Sequence, residues 1–324
     1  MEDKKQSAAS EKIKDKKRPS RKSFLFHVRS QWELSLISLP FFIYILIFSY
    51  IPLWGLSIAF QEYKPGKPFF EQQWVGFKYF RQLFNDPDFY RVLRNTLAMG
   101  IINLVLHFLS AIIFALLLNE LAGKKFKRVV QTISYMPHFL SWIVVTGLVA
   151  NMLSMDDGIV NALLIRTGLI SQKVHFLGEP RYFWWIVALA YVWKEMGWNT
   201  IIYLAAITSI DPALYEAAAI DGASRLQRNL YITLPGIKST IIVLLIMNAG
   251  WILNTNYEIP YLLGASGVML KVSETIDIFV IKQGLARNSY ALATAAGLFK
   301  TAVSVIVLSL CNGLAGLFGE EKLI

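Results

Sequence analysis

Two of the most apolar segments of the chain carry polar and aromatic side chains of the kinds that contact sugars. They lie near residues 183–210 and 239–262, where rings stand close to amides and charged groups. Aromatic rings stack on the C–H faces of sugars, and amides hydrogen-bond to their hydroxyls. Ionisable groups at membrane depth are costly and usually face a partner or a water-filled cavity. The candidates for lining a polar path are therefore Trp193, Lys194, Asn199, Tyr203, Trp251, Asn254 and Asn256.

The same side chains also have structural explanations. Trp184 and Trp185 suit the aromatic belt of a membrane protein, and buried asparagines join helices by hydrogen bonds. For Lys194 and the two asparagines Asn254 and Asn256, path and structural roles stay open. Lys194 and Glu195 are neighbours on one helix and point about 100° apart. We therefore do not expect these two charges simply to pair with each other.

No arrangement of residues predicts catalysis, a metal site or a bound cofactor. The dipeptides Gly66-Lys67 and Gly123-Lys124 are followed by Pro68 and Lys125, so neither continues into a phosphate-binding loop. Ser266 lacks the strand-turn-helix context of a nucleophile elbow. A single cysteine, Cys311, excludes an internal disulfide. The four histidines, His27, His107, His138 and His175, are not spaced as metal ligands. The chain is therefore not expected to be an enzyme.

Composition predicts an all-α integral membrane protein. Of the 324 residues, 55% are hydrophobic and 17% are charged, and the mean hydropathy is +0.46. Soluble domains carry about 25% charged residues. The net charge of +10 is concentrated in residues 1–30, which hold ten of the 32 Lys and Arg residues. This segment is interpreted as a basic, disordered cytoplasmic tail that contacts anionic lipid, not as a nucleic-acid reader or a signal peptide.

Six apolar runs are long enough to cross a bilayer, which takes about 20 residues. The basic tail and the cluster Lys124–Arg128 place the amino terminus and residues 122–128 on the cytoplasmic side. The first span and an external amphipathic segment occupy residues 31–94, the core occupies 95–318, and 319–324 end in the cytoplasm. The predicted spans are Leu34–Phe60, Asn95–Leu121, Val129–Leu153, Phe183–Ile210, Ser239–Leu262 and Ala291–Phe318.

The external segment contains a short amphipathic helix. Phe77, Phe80, Leu83 and Phe84 recur at spacings of three and four residues, which places them on one helical face. An apolar stripe beside a membrane most simply lies in the interface with lipid. Packing against another subunit is the alternative.

The loop between the fourth and fifth spans is unlike a solvated connection. Asp211 and Pro212 predict a capped helix start. Gly222 interrupts the helical stretch, where a left-handed backbone is expected. A second helical stretch should end before Leu234. A helix faced with Ala217 and Ala218 can bring its backbone close to a partner.

The spacing within this loop resembles a known motif. Glu-Ala-Ala is followed after three residues by Gly222, after nine more by Ile232, and then by Leu234-Pro235. It resembles the EAA loop of ABC-importer permeases, which docks on a cytoplasmic ATPase. Residues 76–97 and 289–300 are similar to carbohydrate-uptake (MalF/MalG-like) permeases, closest to the polysaccharide branch of LplB-type and alginate-importer permeases. The residues that this resemblance assigns to ATPase coupling are Glu216, Ala217, Ala218, Asp221, Gly222, Ile232, Leu234 and Pro235.

The resemblance implies a permease subunit of an importer for oligosaccharides or polysaccharide fragments in a bacterial inner membrane. Its implied partners are a second, homologous permease, two ATPase subunits, an extracytoplasmic solute-binding protein, the saccharide and the lipid bilayer, with no nucleic acid. Within this class, a permease for another polar solute such as a phosphorylated polyol is the alternative. An ATPase-independent secondary transporter explains the sequence less well, because the two halves show no convincing repeat and the alanine-rich loop would have no role. A polytopic membrane enzyme lacks any paired carboxylates or metal-ligand set.

Overall fold

Helices make up most of the chain, as composition predicts. The computed structural model describes residues 32–254 and 256–317, and the chain divides after Ser57 into two compact units. Helix α1, Trp32–Ile45, and the π-helical turn at Leu46–Tyr50 belong to the first unit, and the 3₁₀ segment that follows, Ile51–Phe60, extends past the division. The whole run of 29 residues has a mean hydropathy of 2.2. It is therefore apolar and long enough to cross a bilayer.

A small antiparallel hairpin follows the 3₁₀ segment in the second unit. Strand β1, Gln61–Glu62, pairs with β2, Gln73–Trp74, with Gln61 opposite Trp74. A 3₁₀ turn at Phe69–Glu71 lies between the strands, and helix α2, Lys78–Asn85, follows them.

Helix α3, Pro87–Glu120, is the longest described helix, with 34 residues. Its start is well defined by the sequence. Asp86 Oδ1 accepts a hydrogen bond from the Asp88 backbone N–H at 2.9 Å, and Pro87 occupies the first helical position.

The remaining helices of the second unit alternate long and short segments, with 3₁₀ turns at Met136–Phe139 and Phe176–Gly178 and π-helical turns at Asn229–Thr233 and Lys282–Ala286. They are α4 Lys124–Tyr135, α5 Trp142–Met152, α6 Ile159–Arg166, α7 Pro180–Thr208, α8 Pro212–Ile220, α9 Arg225–Arg228, α10 Leu234–Gly236, α11 Lys238–Gly250, α12 Glu258–Leu263, α13 Leu270–Ser273, α14 Ile276–Ile281 and α15 Tyr290–Leu317.

Three described helical runs are individually long and apolar enough to cross a membrane: 32–60, 87–120 and 290–314. Three further bent pairs pass the same test together. In the first pair, α4 and its 3₁₀ turn are bent by 103° from α5. In the second, α7 is bent by 74° from α8, and in the third, residues 225–236 are bent by 64° from α11. The described helices therefore give between three and six spans.

Two predicted spans are not straight helices. The run Val129–Leu153 is broken near Ser141, where the helical axis turns by 103°. The run Ser239–Leu262 is wrong as a continuous helix, because α11 ends at Gly250 and α12 begins only at Glu258. The end of the sixth predicted span, Phe318, lies outside the described residues.

The core of the second unit is built largely on α3. Along α3 and α7, the small residues Ala111 and Ala115 pack against Tyr203 and Ile207. At the other end of α3, Leu83 and Phe89 pack with residues of α14 and α15. Leu83 is fully buried there. The expectation that the stripe of α2 lies in lipid is therefore wrong for Leu83, because the stripe has apolar partners within the chain.

Candidate functional site

The break in the predicted fifth span forms one wall of a polar cavity. The cavity has a volume of about 90 Å³, and one water takes up about 30 Å³ of liquid, so it has room for a few hydroxyl-sized groups. An adjoining groove of about 460 Å³ between α11 and α15 shares Trp251 and Asn254 with it. The cavity is lined by Gly100, Asn103, Leu104, His107, Tyr191, Asn248, Trp251, Ile252, Asn254 and Asn256.

Close backbone packing positions the broken segment against α3. An ideal Cβ on Gly100 would stand 2.1 Å from the Ile252 carbonyl oxygen, so only glycine permits this approach. The asparagine side chains are partly held by local bonds. Asn248 Nδ2 donates to the Leu244 carbonyl at 2.7 Å, and Asn256 Oδ1 accepts from the Glu258 N–H at 2.8 Å. The cavity wall is therefore polar but locally ordered.

Two atoms of the lining lack partners. Within the described residues, Asn103 Oδ1 and His107 Nε2 are buried and form no hydrogen bond. The His107 ring packs edge-on against Tyr191, with centroids 5.3 Å apart. A buried polar atom without a partner costs about 1–3 kcal/mol. Such atoms beside a cavity are suited to a polar ligand.

Sequence reasoning did not select Asn103 and His107. A signal was present, because the two residues are four apart and so share one face of an apolar helix. Of the residues that were selected, Trp251, Asn254 and Asn256 line the cavity, whereas Lys194, Trp193, Asn199 and Tyr203 do not.

Lys194 lies instead in a fully bonded charge cluster between α7 and the break before α5. Its Nζ donates to the His138 carbonyl at 2.6 Å and to Glu195 Oε1 at 2.9 Å. It also stands 4.9 Å from the ring centroid of Trp142. The expectation that Lys194 and Glu195 do not pair is wrong. Both side chains are long enough to bridge the 100° between their positions. They turn towards each other because both are buried, where no water can solvate their charges.

Glu195 and His138 complete this cluster. Glu195 Oε2 lies 2.7 Å from His138 Nδ1, and the His138 ring stacks on Trp198 with centroids 4.4 Å apart. The packing beneath is tight, since a Cβ on Gly197 would stand 2.0 Å from the Ser134 carbonyl oxygen. Lys194 and Gly197, three positions apart, thus hold α7 against the end of α4.

The other selected residues of α7 have separate surroundings. Trp193 borders an apolar groove with Leu148 and Ile186. Asn199 Nδ2 donates to the Glu195 carbonyl at 2.9 Å, one turn earlier on the same helix. Tyr203 is buried in the apolar cluster between α3 and α7, edge-on to Phe108.

The loop after α7 has the local structure that its sequence predicts at its first helix. Asp211 Oδ1 accepts from the Ala213 N–H at 2.9 Å and caps α8. At the other end, Gly222 has φ +75°, which confirms the left-handed conformation. The Ala223 N–H donates to the Ala218 carbonyl and the Gly222 N–H to the Ala219 carbonyl, at 2.9 and 3.2 Å. This is the Schellman arrangement that ends helices at glycine.

The second half of the loop differs from the prediction. Helical structure does not end before Leu234, because a π-helical turn at Asn229–Thr233 leads into α10 and the helix continues to Gly236. The wider turn lets the chain continue helically into Pro235, which has no N–H to donate. Tyr215 OH lies 2.9 Å from the buried Thr233 Oγ1 and joins the two halves.

Apolar side chains of this loop are exposed. Ile220 is 87% exposed and Tyr231 77%, and Leu214 and Leu226 are also exposed. Among the residues selected for coupling, Glu216, Ala217, Asp221, Gly222 and Pro235 are exposed, and Ala218, Ile232 and Leu234 are half-buried. The loop thus presents an unpartnered apolar surface. No metal-binding group of three His, Cys, Asp or Glu occurs among the described residues.

The comparisons with known proteins agree on one family. Residues 107–315 match the family described as "Binding-protein-dependent transport system inner membrane component". The chain is 44% identical over 305 residues to the polygalacturonan/rhamnogalacturonan transport system permease protein YteP of Bacillus subtilis, covering 94% of each protein. It is 41% identical over 295 residues to protein LplB of the same organism, covering 91% of this chain and 92% of that protein.

Solved structures show the same relationship. A bacterial ABC transporter involved in the import of the acidic polysaccharide alginate matches with a TM-score of 0.82 and 38% identity, over 90% of this chain and 98% of that one. A bacterial alginate ABC transporter in complex with an alginate pentasaccharide-bound periplasmic protein matches with a TM-score of 0.83 and 37% identity, over 92% and 98%. The resemblance to LplB-type and alginate-importer permeases is confirmed.

Proposed function

The chain belongs to the family of binding-protein-dependent transport system inner membrane components. From this premise we propose that it imports saccharides, and we propose which residues form the path for the saccharide and which form the surface that contacts the ATPase. It is a membrane transport subunit. In the proposal it pairs with a second, homologous permease above two ATPase subunits, and a solute-binding protein delivers the cargo. ATP hydrolysis takes place on the partner subunits.

The loop 211–238 is the proposed coupling surface. The observation that carries this is the alanine-faced helix α8, which ends in a left-handed Gly222 and exposes Leu214 and Ile220. Exposed apolar surface next to small side chains suits close docking on another protein. Closure of two ATPases would pull this helix and its counterpart together, which shifts the permease between two states.

The polar cavity beside the break after α11 is the proposed contact for the cargo. It combines amides, an imidazole and Trp251, and two of its buried atoms lack partners among the described residues. These groups suit oligosaccharides or polysaccharide fragments. Acidic fragments are the class to test first, since relatives are named for polygalacturonan and alginate. The groups nearer α7, including Lys194, hold helices together in this proposal.

The proposed topology has six spans, one for each of the three straight runs and one from each bent pair, and α8 and residues 225–236 belong to the cytoplasmic loop rather than to a span. The amino terminus, residues 122–128, the coupling loop and the carboxyl terminus are then cytoplasmic. With Cys311 replaced, an externally added thiol reagent should label Asp157→Cys and miss Arg225→Cys. Strong external labelling at position 225 would refute both the topology and the coupling role.

The coupling role is tested by Gly222→Leu in proteoliposomes that hold the assembled complex. A Cβ at Gly222 meets no atom within 4 Å, so the substitution acts through the left-handed backbone, at a cost of about 1 kcal/mol. We expect ATPase recruitment, or ATP-driven uptake of an acidic pentasaccharide, to fall. Ala218→Trp should act in the same way by steric exclusion.

Gly168→Leu is the matched control, because Gly168 has φ +73° and equally open surroundings in another loop. It should leave recruitment and uptake unchanged. Normal recruitment and uptake in Gly222→Leu would show that the loop is only a linker. Uptake without ATP would instead indicate a secondary transporter.

A further inference from the structure

Helix α4 begins with a concentration of positive charge. Lys124, Lys125, Lys127 and Arg128 occupy its first five residues, and its first turn contains no acidic residue. Cations at a helix amino terminus oppose the helix dipole, and like charges three or four residues apart repel. This arrangement is unfavourable unless an anion lies nearby.

Within the described residues, no carboxylate neutralises these cations. None of the four cations forms an ion pair there, and the nearest carboxylate in sequence, Glu120, lies 3.7 Å from Arg225. Gly123 gives the helix no side-chain cap. Lys124, Lys125 and Arg128 are exposed, and Lys127 is half-buried.

The same helix carries an exposed apolar stripe. Phe126, Val129 and Ile133 are 58%, 53% and 62% exposed and lie three and four residues apart, on one face. Another face of α4 is already occupied, because Ser134 packs against Gly197 of α7. The stripe therefore has no partner within the described residues.

Helix α4 is too short to cross the bilayer by itself. Its 12 residues extend about 18 Å at 1.5 Å per residue, too short for a hydrocarbon core of about 30 Å. The run it begins turns by 103° into α5. Val130 of α4 packs against the cluster of Tyr203 and Ile207, and Ser134 packs against Gly197 near the middle of α7. Helix α4 therefore runs along the half of α7 that ends at the coupling loop and forms one half of a bent span. Cations in its first turn then lie at headgroup depth, and the apolar stripe beyond them faces the acyl chains.

We propose that α4 is a binding surface for anionic phospholipid. The headgroup phosphates contact Lys124, Lys125 and Arg128, and the stripe enters the acyl region beneath them. Helix α6 has a similarly exposed stripe, at Ile159 and Leu163, but a single cation, Arg166, in its last turn. The dipole favours a cation at that end, so α6 has no comparable need for an anion.

The test uses the complete complex in bilayers, with the single native thiol removed by Cys311→Ser. A bimane label is attached at Thr132→Cys, an exposed position of α4. Quenching by brominated phosphatidylglycerol is compared with quenching by brominated phosphatidylcholine. Each cation near a surface favours anionic lipid by about fivefold, so we expect at least about that preference for phosphatidylglycerol.

The variant Lys124→Gln/Lys125→Gln/Lys127→Gln/Arg128→Gln should quench equally with both lipids. The matched control removes four cations elsewhere, by Lys64→Gln/Lys67→Gln/Lys78→Gln/Arg81→Gln, and should keep the preference. Equal quenching by both lipids without any substitution would overturn the proposal. Quenching by neither lipid would also overturn it, since a partner protein would then cover α4.

The same proteoliposomes separate this proposal from the proposed function. ATP-driven saccharide uptake without a lipid preference would refute only the lipid surface. A lipid preference without uptake would refute only the transport proposal.

Discussion

Two polar regions within the apolar helices differ in how their polar atoms are satisfied. Around Lys194, the described ammonium and carboxylate groups have close partners, and two aromatic rings cover them. Around Asn103 and His107, buried atoms face a cavity without a hydrogen bond. The sequence presents both regions as polar residues in apolar segments. Their hydrogen-bond partners distinguish the two regions. A buried polar group with a partner stabilises the fold, whereas one without a partner is available to a ligand.

The largest effect is expected from removing one charge of the bonded cluster. Glu195→Leu leaves the Lys194 ammonium buried without its counter-charge, which costs about 3–5 kcal/mol. The detergent-solubilised complex should lose thermal stability or fail to assemble, as followed by size-exclusion chromatography during heating. The double variant Lys194→Met/Glu195→Leu should recover much of the loss. An unchanged melting temperature in Glu195→Leu would mean that the cluster does not hold these helices.

A smaller effect should follow from the glycine beneath the cluster. Gly197→Ala places a Cβ 2.0 Å from the Ser134 carbonyl oxygen, so the backbones must move apart, at about 1–3 kcal/mol. Gly147→Ala is the control in α5, because a Cβ there meets nothing within 4 Å. It should leave the melting temperature unchanged or raise it. Equal melting temperatures for the two variants would contradict close packing of α4 on α7.

The cavity should respond in the opposite way. Asn103→Leu and His107→Leu each remove a buried atom without a hydrogen-bond partner, so stability should stay the same or rise. Saccharide uptake should fall by about fivefold for each, if one hydrogen bond of about 1 kcal/mol to the passing cargo is lost. Uptake and melting temperature are measured on the same preparations. Full uptake in both variants would place the path elsewhere.

The smallest effect is expected at an exposed ion pair. Arg225 and Glu120 are 3.7 Å apart, with Arg225 72% exposed at its side chain. Water and salt screen such a pair, and its contribution is about 0–1 kcal/mol. Arg225→Gln should therefore leave the melting temperature nearly unchanged. If Arg225→Gln lowered the melting temperature as much as Glu195→Leu, burial would not explain why the two charge pairs differ in their contribution to stability.

Local structure was predictable where neighbouring residues decide it. Asp211 and Pro212 start α8 as expected, because a cap bonds to the N–H groups of its own first turn. The left-handed Gly222 followed for the same kind of reason. The fifth span was predicted as one helix because its apolar composition runs past Gly250, and hydropathy does not register the turn at residues 251–254.

By itself, the sequence determined that the chain is a helical membrane protein, which loop resembles a coupling motif, and where α8 begins and ends. Those properties depend on composition and on contacts within a few residues. Tertiary structure alone decided which polar residues are satisfied. Lys194 is bonded because His138, 56 positions away, brings its carbonyl within 2.6 Å. Asn103 and His107 face a cavity because Gly100 lets the broken segment pack against α3. Hydrogen bonding depends on distances between remote segments, which side-chain type and spacing do not specify.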